Sequence, residues 1–155
     1  SRMNSIGLYI TRGLLLASGL IAASIAATIL LASNAFYGGY GIDIGTNANL
    51  ANELKAPAGL LLLAGLLMLA GVFRSEFTTP SLATATAVYL SYGLSRILSK
   101  AIDGVPHSGL VSATVIEIAI GGLCLADLMR HRRTTAARRI AAEDVWYATA
   151  EEDAA

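Results

Sequence analysis

Apolar residues gather into four long stretches, which short polar connections separate. A helix of about 20 apolar residues is long enough to cross a bilayer. The pattern therefore predicts an all-α integral membrane protein, a four-helix bundle with a polar tail at 130–155 that can itself be helical. The four predicted spans are 8–32, 51–73, 81–100 and 110–129.

Composition supports a membrane protein. Of the 155 residues, 55% are hydrophobic and 14% are charged, whereas a soluble domain carries about 25% charged residues. The first apolar run lacks the short core and cleavage pattern of a secretory signal, so we expect it to remain as the first helix. The single cysteine, Cys124, cannot form an internal disulfide and is expected to be a small buried side chain.

The positive charges predict the orientation of the helices. Arg2, Arg12, Arg74 and the arginine-rich tail fall on one side of the predicted membrane, and the connection at 33–52 has no Lys or Arg. Positive residues concentrate in cytoplasmic loops. We therefore expect both termini in the cytoplasm and a multi-pass protein of the inner (plasma) membrane.

Small residues recur along the first predicted span. Gly19, Ala23 and Ala27 follow one another every four residues, which gives a smooth stripe that a second helix can approach closely. Packing within the chain is favoured over homodimerisation, because three partner helices are already present. A homo-oligomer is left open and is not indicated.

Residues 33–52 are rich in glycine and asparagine and are predicted to form a loop at a membrane surface. Phe36, Tyr37 and Tyr40 suit the interfacial belt, where aromatic rings lie at headgroup level. The alternative is a lid over a ligand, because long loops without regular structure are often functional.

The start of the second span contains several helix signals. Asn49 and Asn52 are predicted N-caps, and Glu53 is expected in the first helical turn, where the helix dipole favours an anion. The helix is expected to begin near Leu50 and to bend at Pro57, which removes a backbone donor.

The third and fourth spans each carry a charge inside an apolar segment. Arg96 lies seven residues before Asp103, and Glu117 lies seven residues after Leu110. At about 1.5 Å per residue, both side chains should lie roughly 10 Å below the same membrane face. A charge in hydrocarbon is costly and needs a partner. We predict an ion pair between Arg96 and Glu117, with pairing to Glu53 as the alternative.

Other polar residues of the third span share a face with Arg96. Tyr89 and Tyr92 lie on one stripe with it, and Lys100 can extend to the headgroups. Asp103 and His107 could be half of a metal site but are expected to be solvated. No catalytic residue, metal or cofactor is predicted. The predicted candidates for a buried polar or ligand pocket are Glu53, Lys55, Tyr92, Arg96, Asp103 and Glu117.

The tail after the fourth span is basic and then acidic. Its basic half is typical of a juxtamembrane anchor to anionic lipid, and its acidic half, with Trp146 and Tyr147, could dock to a protein partner. Asp127 is expected to be solvated at the membrane interface. The predicted partners are membrane lipid and a larger membrane complex, and nucleic acid is not expected. The predicted lipid anchors are Arg130, Arg132, Arg133, Arg138 and Arg139.

Three sequence elements point to a family. The segments NELKAPAGLLLLAGLL at 52–67 and GLSRILSKAIDGVP at 93–106, together with Glu117, resemble the DUF4345 family of small four-helix bacterial membrane proteins. The resemblance covers most of 6–128 and excludes the tail. It implies a four-helix fold and brings no biochemical activity. Pro57 and the long glycine-rich connection depart from the family pattern.

Three functions are compatible with the sequence. The first is a non-enzymatic structural or accessory subunit of a larger membrane complex, favoured by the small size and the absence of a reaction motif. The second is a small-molecule or proton-coupled binding or transport module with a polar pocket at Glu53, Arg96 and Glu117. The third, ranked last, is an enzyme that acts on lipid or quinone with Glu117 or Glu53 as a base.

Overall fold

The computed structural model describes the backbone of residues 2–153 and the side chains of 5–146. Within those residues the protein is all-α and contains no strand, as predicted. A short 3-10 turn, Ser75–Phe77, connects the second and third helices. The four helices are α1 (Arg2–Gly38), α2 (Ala48–Phe73), α3 (Thr78–Asp103) and α4 (Ser108–Asp153).

The helices pack in chain order, because short connections make successive helices antiparallel neighbours. α1 lies along α2, α2 contacts α3, and α3 lies along α4, whereas α1 contacts α3 and α4 at few places. We call the end with the connections 39–47 and 104–107 the upper end. The end with residues 74–77 is the lower end. Tyr40 and His107, whose ring centroids are 6.1 Å apart, bring the two upper connections together.

Three helices are long and apolar enough to cross a membrane, namely α1, α2 and the first part of α4. The predicted third span is helical, but α3 is not among the helices that meet this criterion within the described residues. Threonine, serine, Arg96 and Lys100 lower its hydropathy. The expectation of four helices is therefore confirmed, and the composition of three of them suits a membrane span.

α1 continues further than predicted. The backbone leaves helical geometry at Ala32 (φ −143°, ψ 50°) and then resumes as helix to Gly38. The prediction of a loop over all of 33–52 was therefore wrong at both ends, and the connection is 39–47. Aromatic contacts hold the last turns of α1, since the Phe36 ring lies 5.1 Å from Tyr37 and 5.5 Å from Tyr40.

α2 begins with a cap that differs from the prediction. The side chain of Asn47, and not that of Asn49 or Asn52, accepts the backbone N–H of Leu50 at 3.0 Å. Glu53 consequently lies beyond the first turn, so its predicted role at the helix dipole was also wrong. Pro57 lies inside the helix, as expected.

Glycines allow the helices to approach closely. A Cβ on Gly65 of α2 would lie 2.8 Å from the backbone nitrogen of Ala23 and 3.1 Å from the carbonyl oxygen of Gly19, so α1 and α2 touch backbone to backbone. The predicted small stripe of α1 therefore packs within the chain. In the α3 and α4 pair, Gly93 faces Ile118 and Gly121 faces Leu90 in the same way.

Replacement of Gly65 by alanine is expected to destabilise the protein by about 1–3 kcal/mol, because the backbone of α1 must move to admit the methyl group. Gly59 on the same helix is the matched control, since its added Cβ would meet nothing within 4 Å. Gly59→Ala should be neutral or stabilising by up to about 1 kcal/mol through helix propensity. Unfolding in detergent, followed by circular dichroism, compares the two variants. Equal stability of both would contradict backbone contact at Gly65.

Candidate functional site

The predicted ion pair between α3 and α4 is present. Arg96 Nε donates to Glu117 Oε2 at 2.9 Å and to Oε1 at 3.2 Å. The Glu117 side chain is 14% exposed and that of Arg96 is 33% exposed. Gly93 and Gly121, one turn from these residues on each helix, bring the two backbones close enough for the side chains to meet. We refer to Arg96 and Glu117 as the upper ion pair.

The guanidinium of Arg96 keeps spare donors. Both contacts with Glu117 use Nε, and Nη1 and Nη2 donate to no other group in the described part of the chain. In a bidentate arrangement, two nitrogens of the guanidinium would each donate to the carboxylate, and one Nη would be occupied. The partly exposed guanidinium can therefore hold its carboxylate and still bind a second acceptor.

Aromatic side chains from α1 lie beside the upper ion pair. Tyr37, in the last turn of α1, is half-buried and interacts electrostatically with Tyr92 and Arg96. Tyr40 packs against His107, and a Cβ on Gly109 would lie 2.9 Å from its ring. The last turns of α1 therefore cover the upper end of α3 and α4 with rings whose hydroxyls can hydrogen-bond. The covering is partial, since Tyr92 remains 37% exposed.

The other predicted pocket residues do not join this site. Glu53 is exposed on α2 and makes no ion pair with Arg96 among the described residues. Asp103 is exposed at the upper end and accepts a hydrogen bond from Ser99 Oγ at 2.9 Å. Lys55 is half-buried in a groove between α1 and α2. His107 accepts the backbone N–H of Gly109 at 3.0 Å through Nδ1.

A second charged cluster, which sequence reasoning missed, lies at the lower end. Asp127 of α4 is 5% exposed, so the prediction that it is solvated was wrong. Its Oδ2 accepts the hydroxyl hydrogen of buried Thr11 at 2.6 Å, and its Oδ1 accepts Nε of Arg130 at 2.9 Å and also Nη2. Arg130 Nη2 lies 3.1 Å from the carbonyl oxygen of Gly7. We call Gly7, Thr11, Asp127 and Arg130 the lower cluster.

The lower cluster fastens α1 to α4, which otherwise touch little. Arg130, predicted as a lipid anchor, directs its guanidinium to α1. The remaining predicted anchors, Arg132, Arg133, Arg138 and Arg139, are exposed along the helical tail. The sequence signal was a polar Thr11 in an apolar run and an acid three residues before a base, a spacing that pairs on one helix face.

A third polar contact crosses the middle of the bundle. Tyr89 of α3 is 4% exposed, and its hydroxyl donates to the carbonyl oxygen of Ser18 on α1 at 2.5 Å. The Ser18 hydroxyl in turn lies 3.6 Å from the sulfur of Cys124, which is buried as expected. These contacts connect α1, α3 and α4 around a hydrophobic core that combines alanines with larger side chains such as Leu61 and Met68. Tyr89 therefore connects α3 to α1 within the packed interior.

The described residues contain no group of three or more His, Cys, Asp or Glu side chains that could hold a metal ion. Asp103 and His107 each make a local hydrogen bond with a neighbour in the chain. The site consists of two charge clusters, one at each end of the bundle, and both have α4 in common.

Comparison with known proteins identifies the family. No curated protein and no solved structure matches the chain. A family model, Domain of unknown function (DUF4345), matches residues 10–128, which include the upper ion pair and, of the lower cluster, Thr11 and Asp127. Because that match covers well over half of the 155 residues, the protein belongs to the DUF4345 family.

Proposed function

We propose that this protein is an integral protein of the inner (plasma) membrane that crosses it four times, with both termini in the cytoplasm. We further propose that it is a non-enzymatic structural or accessory subunit of a larger membrane complex. The upper end then faces outward, and the tail of α4 lies in the cytoplasm with its arginines at the lipid surface.

A membrane-spanning α3 is supported by its hydrogen bonds. Thr86 and Ser91 donate to backbone carbonyls of the preceding turn, and Ser81 donates to the carbonyl of Leu67 on α2 at 2.7 Å. Arg96 is paired with Glu117. Because hydrocarbon offers no hydrogen-bond partners, polar groups inside a membrane must bond within the protein, as these side chains do. Mean hydropathy counts Arg96 and the serines and threonines as polar even where they are hydrogen-bonded within the protein. The low hydropathy of α3 therefore does not exclude a membrane span.

The observation that carries the subunit proposal is the uninterrupted course of α4. The helix runs from Ser108 to Asp153 and leaves the lower cluster at Arg130. At about 1.5 Å per residue it extends roughly 35 Å beyond that point. Side chains of the described part of this extension are almost all exposed, first basic and then acidic. A continuous exposed helix that carries a basic and then an acidic segment suits docking to a protein partner.

Gentle extraction from native membranes followed by native mass spectrometry tests this proposal. The full chain is expected in a complex of larger, defined mass, and the same chain ended after Ala136 should appear alone. A charge-reversed tail with Glu143→Lys and Asp144→Lys, which keeps the helix, should also release it. Isolation of the full chain by itself from native membranes under every gentle condition would contradict the subunit role.

A second candidate is a small-molecule or proton-coupled binding or transport module. The spare Nη donors of Arg96 beside Tyr37 and Tyr92 favour it, because an anionic or carbonyl-bearing ligand could bind there without breaking the ion pair. Protein reconstituted in liposomes would then support a pH-dependent proton flux that Glu117→Gln abolishes. Absence of flux with the unchanged protein would contradict proton-coupled transport.

A further inference from the structure

A polar groove lies at the upper end of the contact between α1 and α2, away from the upper ion pair. Its volume is about 340 Å³. One wall is the broken part of α1 at 31–34, the floor is the end of the connection at 45–47, and the other wall is the start of α2. The Asn34 side chain donates to the carbonyl of Gly45 at 3.3 Å and holds the two sides together.

Lys55 enters this groove from the face of α2 that packs on α1. Ala51, Lys55, Ala58 and Gly65 follow one another at the spacing of a helix-packing stripe. Ala58 is 2% exposed, and Gly65 touches the backbone of α1. Lys55 is itself half-buried, yet its ammonium makes no hydrogen bond or ion pair within the described residues. A half-buried ammonium without a protein partner is free to bind an anion that enters the groove.

Ser33 is a second unpartnered group that lines the groove. It is 7% exposed, and its hydroxyl forms no hydrogen bond within the described residues. Serine inside a helix usually donates to the carbonyl one turn earlier, as Ser18 does to Leu14 at 2.6 Å. The break at Ala32 separates Ser33 from that turn. Every fully buried polar atom of the described side chains has a hydrogen-bond partner. The Ser33 hydroxyl oxygen has none among the described residues, so it must be accessible to solvent, and Ser33 lines the groove.

The start of α2 supplies further donors. Asn47 caps the helix by accepting the N–H of Leu50, and the N–H of Ala51 bonds to the Asn47 carbonyl. The N–H groups of Ala48 and Asn49 precede the first helical hydrogen bond, and they lie at the positive end of the helix dipole. No Asp or Glu lines the groove.

We propose that this groove binds the oxyanion of a phosphate group, with the Lys55 ammonium, the Ser33 hydroxyl and the first N–H groups of α2 as its donors. An ammonium and several N–H and O–H groups around one space, without a carboxylate, match the acceptor oxygens and negative charge of phosphate. The source is either the phosphodiester of a lipid headgroup or dissolved phosphate. The lipid source depends on the upper end lying at the membrane surface, as the proposed topology requires.

The test uses the full chain in a maltoside detergent without phosphate. One arm titrates inorganic phosphate and measures heat. The other arm adds phosphatidylglycerol and, as a lipid without phosphate, glucosyl diacylglycerol, and counts retained lipids by native mass spectrometry. We expect one phosphate-bearing ligand per chain. Loss of a charge-assisted contact should weaken binding about tenfold in Lys55→Gln. The control Lys100→Gln, which removes an exposed lysine from the same end, should bind as the unchanged protein does.

Two further variants keep the test decisive if Lys55→Gln does not fold. Lys55→Arg retains the charge and should retain binding, and Ser33→Ala should weaken binding severalfold. Retention of phosphatidylglycerol without phosphate binding assigns the site to a headgroup, and the reverse assigns it to the dissolved anion. The proposal is overturned if neither phosphate-bearing ligand binds, if glucosyl diacylglycerol binds equally well, or if both Lys55→Gln and Ser33→Ala bind as Lys100→Gln does.

Discussion

The Glu117→Leu variant is expected to lose about 3 kcal/mol of unfolding free energy, because it leaves the guanidinium of Arg96 without its counter-charge in an apolar segment. Arginine cannot shed its proton there. A carboxylic acid can take one up, so Arg96→Met, which leaves Glu117 behind, should cost less. The order of the two single variants is therefore part of the prediction.

The double variant, Glu117→Leu with Arg96→Met, should recover most of the lost stability, since two apolar side chains of similar length replace a buried pair. Titration with a denaturing detergent, followed by circular dichroism, gives the four stabilities of the cycle. The exposed pair of Arg74 and Glu76, with side chains 71% and 63% exposed, is the control, and Glu76→Gln should change stability by less than about 0.5 kcal/mol. An additive cycle for Arg96 and Glu117 would contradict coupling between them.

The Asp127→Ala variant is expected to lose about 2–3 kcal/mol of unfolding free energy, because Asp127 is the acceptor for both Thr11 and Arg130 in the lower cluster. The loss is smaller than for a fully buried pair, since the Arg130 side chain is 47% exposed and can turn to water. Protection of amide hydrogens should fall at the start of α1 and around Arg130, measured by hydrogen exchange.

The conservative change Thr11→Val separates the two contacts of Asp127. It removes the hydroxyl that donates to Asp127 at 2.6 Å and accepts Arg130 Nη2 at 3.2 Å, and it keeps the ion pair between Asp127 and Arg130. It should cost about 1 kcal/mol. Thr28, which is exposed and bonds to its own helix, is the matched control. A cost for Thr28→Val as large as that for Thr11→Val would contradict a specific contact between α1 and α4.

Local signals predicted the features that depend on spacing along one or two helices. Four apolar stretches predicted four helices, the stripe of Gly19 and Ala23 predicted close packing within the chain, and equal depth predicted the pairing of Arg96 with Glu117. Each of these predictions rests on helical rise and residue size, and the structure then shows Glu117, not the alternative Glu53, as the partner of Arg96. The regular geometry of a helix determines the depth and the face of each residue, so these features can be predicted without knowledge of the rest of the fold.

Features that depend on contacts between distant parts of the chain were missed. The extension of α1 past Ala32 is supported by the packing of Tyr40 on His107, more than 60 residues away. Asp127 was predicted to be solvated because it lies near the end of a span. No pattern near Asp127 indicates that Thr11 of α1 donates a hydrogen bond to it. Neither contact has a local signature.

The observed cap of α2, Asn47, was not one of the two predicted caps, Asn49 and Asn52. Asn47, Asn49 and Asn52 are all favourable cap residues, and the true start depends on where the connection 39–47 turns. The turn is fixed by Asn34 on α1, which bonds to the carbonyl of Gly45. Because α2 begins earlier than predicted, Glu53 lies beyond the first turn, where it is exposed.

The proposed four-span topology requires α3 to cross the membrane, and cysteine accessibility tests this crossing most directly. In a Cys124→Ala background, Ile42→Cys and Val105→Cys at the upper end and Ser75→Cys at the lower end place thiols at exposed positions. A membrane-impermeant thiol reagent applied to intact cells should label positions 42 and 105, and position 75 only after permeabilisation. Labelling of positions 75 and 105 from the same side would show that α3 does not cross, and would contradict the four-span topology.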